Sequence, residues 1–487
     1  MLWLTPFILE CLDAGPYGVW VAIISMTGFL SLFVMGVPMS TVKHIAEHVA
    51  RGDTGKANRA IGTSAGISFA LAGVALIASV PLYFAFERGL LESERWKGLE
   101  PATLDQARIA WWIITAQICS GFVMRLPLAI FDAHRDFVTR NLLLGSALVL
   151  RVGLIFWLLS WRPTLTALAL CPLGILLFEW CGAMLLIRQR HAGIRFSVRA
   201  FDRSMLREIV GFSLFATLVN VGTMLAFRTD AMIIGAFGDT ADITNFDLGN
   251  KFFEPLVAVM IAVASVVLPT STRLDAQGRR SELAGVFLKW SKVCVSIALL
   301  LGTYLLVLGP SFLHSWIGSE AHEGLDLNAS GEVLRVLMVS FLFYLPIRGV
   351  ALPILLGLGE AKRPALGLLS MGVLNIGLSI YLIRDYGIIG VAYGTAVPNV
   401  IYAAWVLRET CRELNVSVSA WCAHALGRTV PAALLPAGGL YWLLTERPPT
   451  DMFEFCLVGA GSVLVFALLW VSFVYRGDPF FRRGESD

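Results

Sequence analysis

Apolar segments long enough to cross a bilayer recur along almost the whole chain, and this pattern restricts the fold more than any other feature. A helix needs about 20 apolar residues to cross the hydrocarbon core. Windows of about that length find thirteen segments in the 487 residues, and residues 1–9 form half of another. The thirteen are 18–40, 60–86, 109–131, 141–160, 165–187, 209–236, 243–268, 291–312, 332–356, 364–383, 388–407, 427–444 and 453–475. We therefore expect an all-α polytopic membrane protein of about 14 spans.

Overall composition excludes several other classes of protein. Only 15% of the residues are charged, against about 25% in soluble domains, which excludes a soluble multidomain enzyme. The formal net charge of +3 gives no basic footprint for nucleic acid. The eight cysteines form no CxxC pair and are expected to be small apolar packing residues. The sequence accordingly predicts no metal, no cofactor and no nucleic-acid partner.

Lysine and arginine are distributed unevenly between the loops. Alternate loops and the C-terminal tail contain 25 of the 38 basic residues, whereas the intervening loops contain seven. Basic loops tend to stay in the cytoplasm. We therefore expect a multi-pass protein of a bacterial inner membrane with a cytoplasmic C-terminus. The basic loops are 41–59, 132–141, 188–208, 269–292, 357–363 and 408–428.

Two halves of the chain show an internal repeat at an offset of 226 residues. The offset carries Pro127 onto Pro353, each at the start of a similar stretch, and Arg51-Gly52-Asp53 onto Gln277-Gly278-Arg279. Six spans per repeat leave both halves in the same orientation, so the pseudo-twofold axis should run along the membrane normal.

The repeat also predicts the domain organisation. Subtracting 226 from the start of the span at 209 places the start of the first helix about 17 residues before Met1. Either Met1 is internal to a longer protein, which we favour, or the first helix is shortened. The predicted units are an N-terminal bundle at 1–187, a cytoplasmic linker at 188–208, a C-terminal bundle at 209–412, two additional helices at 413–475 and a tail at 476–487.

Short motifs spread over nearly the whole chain carry a resemblance to a known family. They are Leu12–Trp20, Arg51–Arg59, Phe212–Gly235, Leu268–Arg273 and Gly387–Thr395. In order and spacing they resemble the polysaccharide-transporter branch of the multidrug/oligosaccharidyl-lipid/polysaccharide (MOP) exporter superfamily. The segment Asn245-Phe246-Asp247 departs from the pattern, because the family more often has tyrosine there.

The resemblance implies an architecture and an activity. It implies two six-helix bundles that face each other around a central cavity, with two extra C-terminal helices. It implies a flippase rather than an enzyme, which moves a polyprenyl-diphosphate-linked oligosaccharide from the cytoplasmic to the outer leaflet by alternating access. The expected partners are this substrate, membrane lipids, and polysaccharide polymerase and chain-length proteins.

Six basic residues lie inside the predicted spans, where a charge costs about 2.5–3.5 kcal/mol on insertion scales. We predict that five of them face the cavity and bind the diphosphate and acidic sugars, because guanidinium groups bind phosphate oxygens bidentately. These five are Arg125, Arg151, Arg228, Lys251 and Arg348. The alternative is that they snorkel to the interface. It stays open for each of the five and is favoured for the sixth, Arg335.

Two acidic residues within the spans, Asp230 and Glu254, are candidates for ion or proton coupling. Local neutralisation of Arg228 or Lys251 is the alternative. Lys251 and Glu254, at i and i+3, can pair on one helix face. Arg228 and Asp230, two residues apart, should point to different faces.

Three other functions make different demands on the charges and loops of the chain. A drug or cation antiporter would need acidic or aromatic cavity walls, whereas the spans contain six basic and four acidic residues. A membrane glycan polymerase or ligase usually has one large catalytic outer loop, and the longest outer loops here have about 20 residues. A flippase for a peptidoglycan precursor stays open, since its cavity would also be cationic.

Overall fold

The computed structural model describes residues 2–34, 36–191, 193–194, 196, 201–202, 205, 213–318, 324–476 and 478. Most of the predicted linker at 188–208 and the start of the predicted span at 209–236 lie outside these residues. Helices make up nearly all of the described chain, which confirms the predicted all-α fold.

The first repeat contains eight helices. They are α1 (Thr5–Leu12), α2 (Ala14–Gly28), α3 (Val37–Ala50), α4 (Thr54–Phe86), α5 (Pro101–Met124), α6 (Leu126–Ala133), α7 (Phe137–Trp161) and α8 (Leu165–Arg190). A turn of 3-10 helix at Phe29–Phe33 extends α2, and a π turn at Glu87–Leu91 extends α4.

Eleven further helices are described after α8. They are α9 (Ser213–Phe227), α10 (Asp230–Phe237), α11 (Thr240–Asn250), α12 (Phe253–Ala276), α13 (Arg280–Ile317), α14 (Leu327–Pro346), α15 (Leu352–Gly357), α16 (Lys362–Glu413), α17 (Val418–Ala425), α18 (Thr429–Glu446) and α19 (Met452–Leu469). A π turn at Ile347–Ala351 joins α14 to α15.

The helix boundaries repeat at the offset found in the sequence. Adding 226 to the first residues of α2, α4, α5 and α6 gives the first residues of α11, α13, α14 and α15. The π turn after α4 ends at Leu91, and α13 ends at Ile317, again 226 residues later. The two repeats are thus copies of one architecture, and α18 and α19 are additional to both.

Ten helical segments are long and apolar enough to cross a membrane, judged by length and composition over the described residues. One of them, α16, contains two of the predicted spans. These meet at Gly387, whose φ of 56° is left-handed and breaks the helix. The described part of the predicted span at 209–236 forms α9 and α10, and the predicted span at 427–444 corresponds to α18, although these helices are shorter or less apolar.

The basic loops define two faces of the bundle. We call the face with loops 41–59, 132–141, 269–292 and 357–363 the basic face, and the other the opposite face. Between them the outer surface is apolar, with Ile77, Val149 and Val471 each more than 70% exposed. Exposed aliphatic side chains over the middle of long helices are expected of a surface that contacts lipid tails rather than water.

The two additional helices pack on α13. Leu308 of α13 is buried with Leu440 of α18 and Phe455 of α19, and the Tyr304 hydroxyl donates to the Phe455 carbonyl at 2.8 Å. Beyond α19, Asp478 returns to the same helix, where its carboxylate accepts from Lys292 Nζ at 2.5 Å, and both side chains are 3% exposed. A buried ion pair therefore ties the end of the described chain to the second repeat.

We expect Asp478→Asn to lower the thermal stability of the purified protein, because Lys292 would stay buried without its carboxylate. Breaking a buried pair in this way costs about 3–5 kcal/mol. The double variant Lys292→Met/Asp478→Asn should recover most of the loss, since the unpaired charge is gone. Thermal denaturation in detergent measures both.

The exposed pair Arg335–Glu332, at 2.8 Å, provides the control. Glu332→Gln should change stability by about 1 kcal/mol or less. Equal losses of thermal stability in Glu332→Gln and Asp478→Asn would show that the buried Lys292–Asp478 pair stabilises the protein no more than an exposed pair does.

Candidate functional site

The two repeats meet at the opposite face, where α2 crosses α11. Thr244 Oγ1 donates to the Ala14 carbonyl at 2.7 Å. Across the same contact, a Cβ added to Gly18 would lie 1.8 Å from the Thr240 carbonyl oxygen. The offset of 226 relates Ala14 to Thr240 and Gly18 to Thr244, so the crossing lies on the pseudo-twofold axis. Only glycine at position 18 permits this approach.

Beside the crossing, three polar side chains join the repeats in a cluster of short hydrogen bonds. The Tyr17 hydroxyl of α2 donates to Asp247 Oδ2 of α11 at 2.8 Å. Lys251 Nζ donates to the same carboxylate oxygen and to the Tyr17 hydroxyl, both at 2.7 Å. Tyr17 is buried, and the Asp247 and Lys251 side chains are about one-fifth to one-quarter exposed. We call these three residues the inter-repeat cluster.

The cluster corrects one prediction, the pairing of Lys251 with Glu254. Lys251 pairs with Asp247, four residues earlier on α11, whereas Glu254 is exposed in the first turn of α12. The chain leaves the helix between Asn250 and Phe253. This interruption ends the helical spacing on which the predicted i, i+3 pair depended.

A second contact between the repeats lies at the same face, in the segment after α4. Trp96 is buried, and its indole Nε1 donates to the Gly235 carbonyl of α10 at 3.2 Å. The neighbouring Arg95 donates to the Ala236 carbonyl. Together with the α2–α11 crossing, these contacts close the opposite face between the two repeats.

Four of the five predicted binding cations lie at interruptions of the helical ladder. Arg125 separates α5 from α6, and Arg228 lies between α9 and α10. Lys251 lies between α11 and α12, and Arg348 lies in the π turn after α14. Unpaired backbone groups are not tolerated against lipid, so broken helices in membranes border protein or a water-filled cavity. These four cations thus lie where the helix backbone has to adjoin protein or water rather than lipid.

Exposure differs among these side chains. Arg125 and Arg228 are exposed, while Arg348 and Arg151, which lies near the middle of α7, are half-buried. Arg335 pairs with Glu332 at the surface. That the five cations line one central cavity stays a prediction.

Asp230 lies in a buried cluster of polar oxygens in the second repeat. Its side chain is 4% exposed, and both carboxylate oxygens accept from Thr395 Oγ1, at 3.2 and 3.1 Å. Asn375 Nδ2 in turn donates to Thr395 Oγ1 at 2.8 Å. Among the described residues Asp230 forms no ion pair, and Arg228, two residues earlier, is exposed.

Two further oxygens complete this oxygen cluster. Asn375 Oδ1 and Ser379 Oγ are buried and have no hydrogen-bond partner in the described structure. Asn375 and Ser379 are one turn apart on α16, and Ser379 Oγ would lie 2.2 Å from a Cβ at Gly394, next to Thr395. A carboxylate with hydroxyl and amide oxygens is the donor set that hard cations prefer. The uncharged members Thr395, Asn375 and Ser379 were not predicted as site residues.

Ten long apolar helical segments among the described residues, arranged as two copies of one unit, define a polytopic helical membrane protein. Solved structures share this fold. A multidrug resistance transporter of the MATE family of the MOP superfamily, in an inward-facing conformation, matches with a TM-score of 0.71 and 15% identity, over 85% of this chain and 94% of that one. The outward-facing conformation of such a transporter matches with a TM-score of 0.57 and 16% identity, over 85% and 93%.

The lipid II flippase MurJ, in an inward closed conformation, matches over more of the chain. Its TM-score is 0.68 at 15% identity, and the match covers 98% of this chain and 96% of MurJ. Residues 107–323 match the sequence model of a family described as "Polysaccharide biosynthesis protein". No curated protein matches the chain in sequence. The MOP fold and this family match confirm the resemblance to the polysaccharide transporters.

We expect Tyr17→Phe to shift the protein towards the state in which the opposite face is open. The variant keeps the ring but loses the hydroxyl that joins α2 to Asp247 and Lys251. Hydrogen bonds to charged groups contribute about 1.5–3 kcal/mol, so the ratio of open to closed protein should rise by about 10-fold or more. Spin-label distances between the ends of α2 and α11 measure this ratio.

Tyr381→Phe is the matched control, because Tyr381 is 69% exposed on α16. It should leave the distance distribution unchanged. An unchanged distribution in Tyr17→Phe as well would mean that the inter-repeat cluster does not hold the closed state.

Proposed function

We propose that the protein is a flippase that moves a polyprenyl-diphosphate-linked oligosaccharide from the cytoplasmic to the outer leaflet of a bacterial inner membrane. The placement of Arg125, Arg228, Lys251 and Arg348 at helix interruptions is the observation that carries this proposal. Cations at such positions suit a diphosphate, which is anionic at any physiological pH. The exported product would be a cell-surface polysaccharide such as O-antigen lipopolysaccharide or exopolysaccharide.

The orientation follows from the same charges. With the basic face in the cytoplasm, the C-terminus is cytoplasmic and the closed contacts lie towards the outside. The conformation is then inward-facing, in agreement with the higher TM-score to the inward-facing MATE structure than to the outward-facing one. Alternating access would require the inter-repeat cluster to open and the basic face to close.

Asp230 is the better supported of the two coupling candidates. It is buried among oxygens that lack partners, whereas Glu254 is exposed and forms no ion pair with the described residues. A buried carboxylate without a counter-charge favours binding of a proton or a small hard cation. Uptake and release of that ion at Asp230 would couple an ion gradient to the movement of the helices.

A peptidoglycan-precursor flippase is the second candidate function. The MurJ match includes 98% of the chain, and hence the two additional helices, while the MATE matches cover 85%. Rescue tests separate the two candidates. We expect the gene to restore surface glycan in a strain that lacks an oligosaccharide flippase, and not to restore growth in a strain depleted of its lipid II flippase.

The first prediction from the flippase proposal concerns two cations. We expect Arg151→Ala and Arg228→Ala each to abolish surface glycan or reduce it at least 10-fold, because each removes a donor for phosphate oxygens. Arg335→Ala is the matched control, since Arg335 is also inside a span but pairs at the surface. Glycan is measured on whole cells, with protein levels checked in the membrane fraction. Full export by both variants would refute the binding role.

The second prediction concerns coupling. Asp230→Asn keeps the shape of the side chain but not its charge, so gradient-driven transport should fall at least 10-fold while substrate binding persists. In the wild type, the coupling ion should raise the thermal stability of the purified protein, since a ligand that binds only the folded state stabilises it. Sodium, with potassium as control, and pH are varied separately, and Asp230→Asn should lose the response.

Glu254→Gln tests the other coupling candidate and should transport normally. Coupled transport by Asp230→Asn at the wild-type rate would exclude Asp230 as the coupling residue. Loss of coupling in Glu254→Gln alone would transfer the role to Glu254.

A further inference from the structure

A cavity of about 690 Å³ opens in the first repeat between α3, α6 and α7. Lys43 of α3, Arg125 before α6 and Arg140 of α7 line it, together with Asp132. Volumes of this order are typical of small-molecule sites in proteins. We call this space the basic cavity.

The charge of the basic cavity is suited to an anion. Three cations face one carboxylate, and Asp132 Oδ1 lies 3.1 Å from Arg140 Nε. That contact is close enough for an ion pair but not aligned as a hydrogen bond, since the buried Arg140 Nε has no hydrogen-bond partner in the described structure. Arg125 is exposed and forms no ion pair with the described residues. The Arg125 guanidinium is therefore available to a ligand, with Lys43 and Arg140 beside it in the lining of the cavity.

The depth of the cavity is suited to a ligand that is part lipid. α6 ends at Ala133 and α7 begins at Phe137, so Arg140 lies near the basic face. Arg125 lies eight residues before Ala133, or about 12 Å deeper in the membrane than the end of α6. Leu128 and Phe137 add apolar walls. A phosphate group held between Arg125 and Arg140 would have its hydrocarbon portion at the level of the lipid tails.

The charges are not a requirement of the fold, because the second repeat lacks them. The offset of 226 relates Lys43 to Pro269, Arg125 to Ala351, Asp132 to Leu358 and Arg140 to Leu366. The same architecture forms there with apolar residues at all four positions. A structural role shared by both repeats therefore does not explain the cations.

We propose that the basic cavity is the loading site for the diphosphate of the lipid-linked substrate, with Lys43 and Arg140 as binding residues beside Arg125. This inference rests on the proposed function and assigns a place to its first step. The lipid enters from the cytoplasmic leaflet, and its diphosphate is held at the basic face before it passes to the deeper cations. The chemistry recognised is a prenyl diphosphate, without regard to the sugar.

Binding of labelled farnesyl diphosphate to the full-length protein in phosphatidylcholine nanodiscs tests the proposal. We expect Arg125→Gln to weaken binding about 10-fold or more, as is typical for loss of a charge-assisted hydrogen bond. Lys43→Gln and the double variant Asp132→Asn/Arg140→Gln should weaken it as well. Lys56→Gln is the matched control, because Lys56 is also at the basic face but pairs with Asp53 outside the cavity. It should bind as the wild type does.

Folding is checked by thermal denaturation of each variant. Arg125→Lys, which keeps the charge without the planar fork, should bind more tightly than Arg125→Gln and so separates recognition from misfolding. Wild-type binding by the variant that combines all four cavity substitutions would overturn the proposal. So would phosphatidylglycerol in the nanodisc displacing farnesyl diphosphate from the wild type, because the cavity would then be a site for anionic phospholipid.

Whole-cell glycan export separates failure of this inference from failure of the proposed function. If export depends on Arg151 and Arg228 but the four-substitution cavity variant binds and exports normally, the loading site is wrong and the flippase stands. If the cavity binds farnesyl diphosphate as expected but export depends on neither Arg151 nor Arg228, the binding site stands and the proposed route through those cations is wrong.

Discussion

The absence of water from the hydrocarbon core governs this structure. Every backbone donor and acceptor inside the membrane must be paired within a helix or face protein or trapped water. A long uninterrupted helix such as α7 satisfies this rule alone and presents apolar side chains to lipid. Interruptions are tolerated only where something polar adjoins them. The breaks near Arg125, Arg228 and Lys251 are therefore expected to adjoin protein or water rather than lipid tails.

The two repeats share a backbone plan but differ in chemistry at each candidate site. The oxygen cluster of Asp230, Asn375, Ser379 and Thr395 corresponds in the first repeat to Leu4, Val149, Gly153 and Ala169. The basic cavity, conversely, has only apolar counterparts in the second repeat. The two repeats thus share their helix boundaries and packing, whereas the side chains of each candidate site are present in only one repeat.

Hydropathy alone predicts where the membrane-spanning helices lie, because each span needs a long apolar run and such runs are rare in other kinds of structure. The repeat was also visible, since duplicated boundaries keep their spacing. Contacts between repeats were not visible. Tyr17 and Asp247 are 230 residues apart, and no local pattern relates them. Periodicity then misassigned the partner of Lys251, because it assumed an unbroken helix through residues 251 and 252.

The oxygen cluster shows a different limit of sequence reasoning. Asp230 was found because a charge within an apolar run is conspicuous. Thr395, Asn375 and Ser379 are uncharged, and such residues occur in many membrane helices without a functional role. What distinguishes these three residues is that they lie together beside the Asp230 carboxylate. That proximity arises only when the chain folds, so no local sequence pattern indicates it. A comparison of the two repeats would have provided a signal, since all four positions are apolar in the first.

The geometry of the inter-repeat cluster bears on how the two repeats can separate. Asp247 lies in the last turn of α11 and Lys251 directly follows that helix, so their ion pair survives when α11 moves away from α2. Within the cluster, separation then breaks only the hydrogen bonds of Tyr17. Had the two charges been on different repeats, opening would have left each unpaired inside the membrane, at a cost of several kcal/mol. At the inter-repeat cluster, closure is therefore held by a neutral hydroxyl on α2 and by two charges at the end of α11 that compensate each other, an arrangement that stabilises closure without making opening prohibitive.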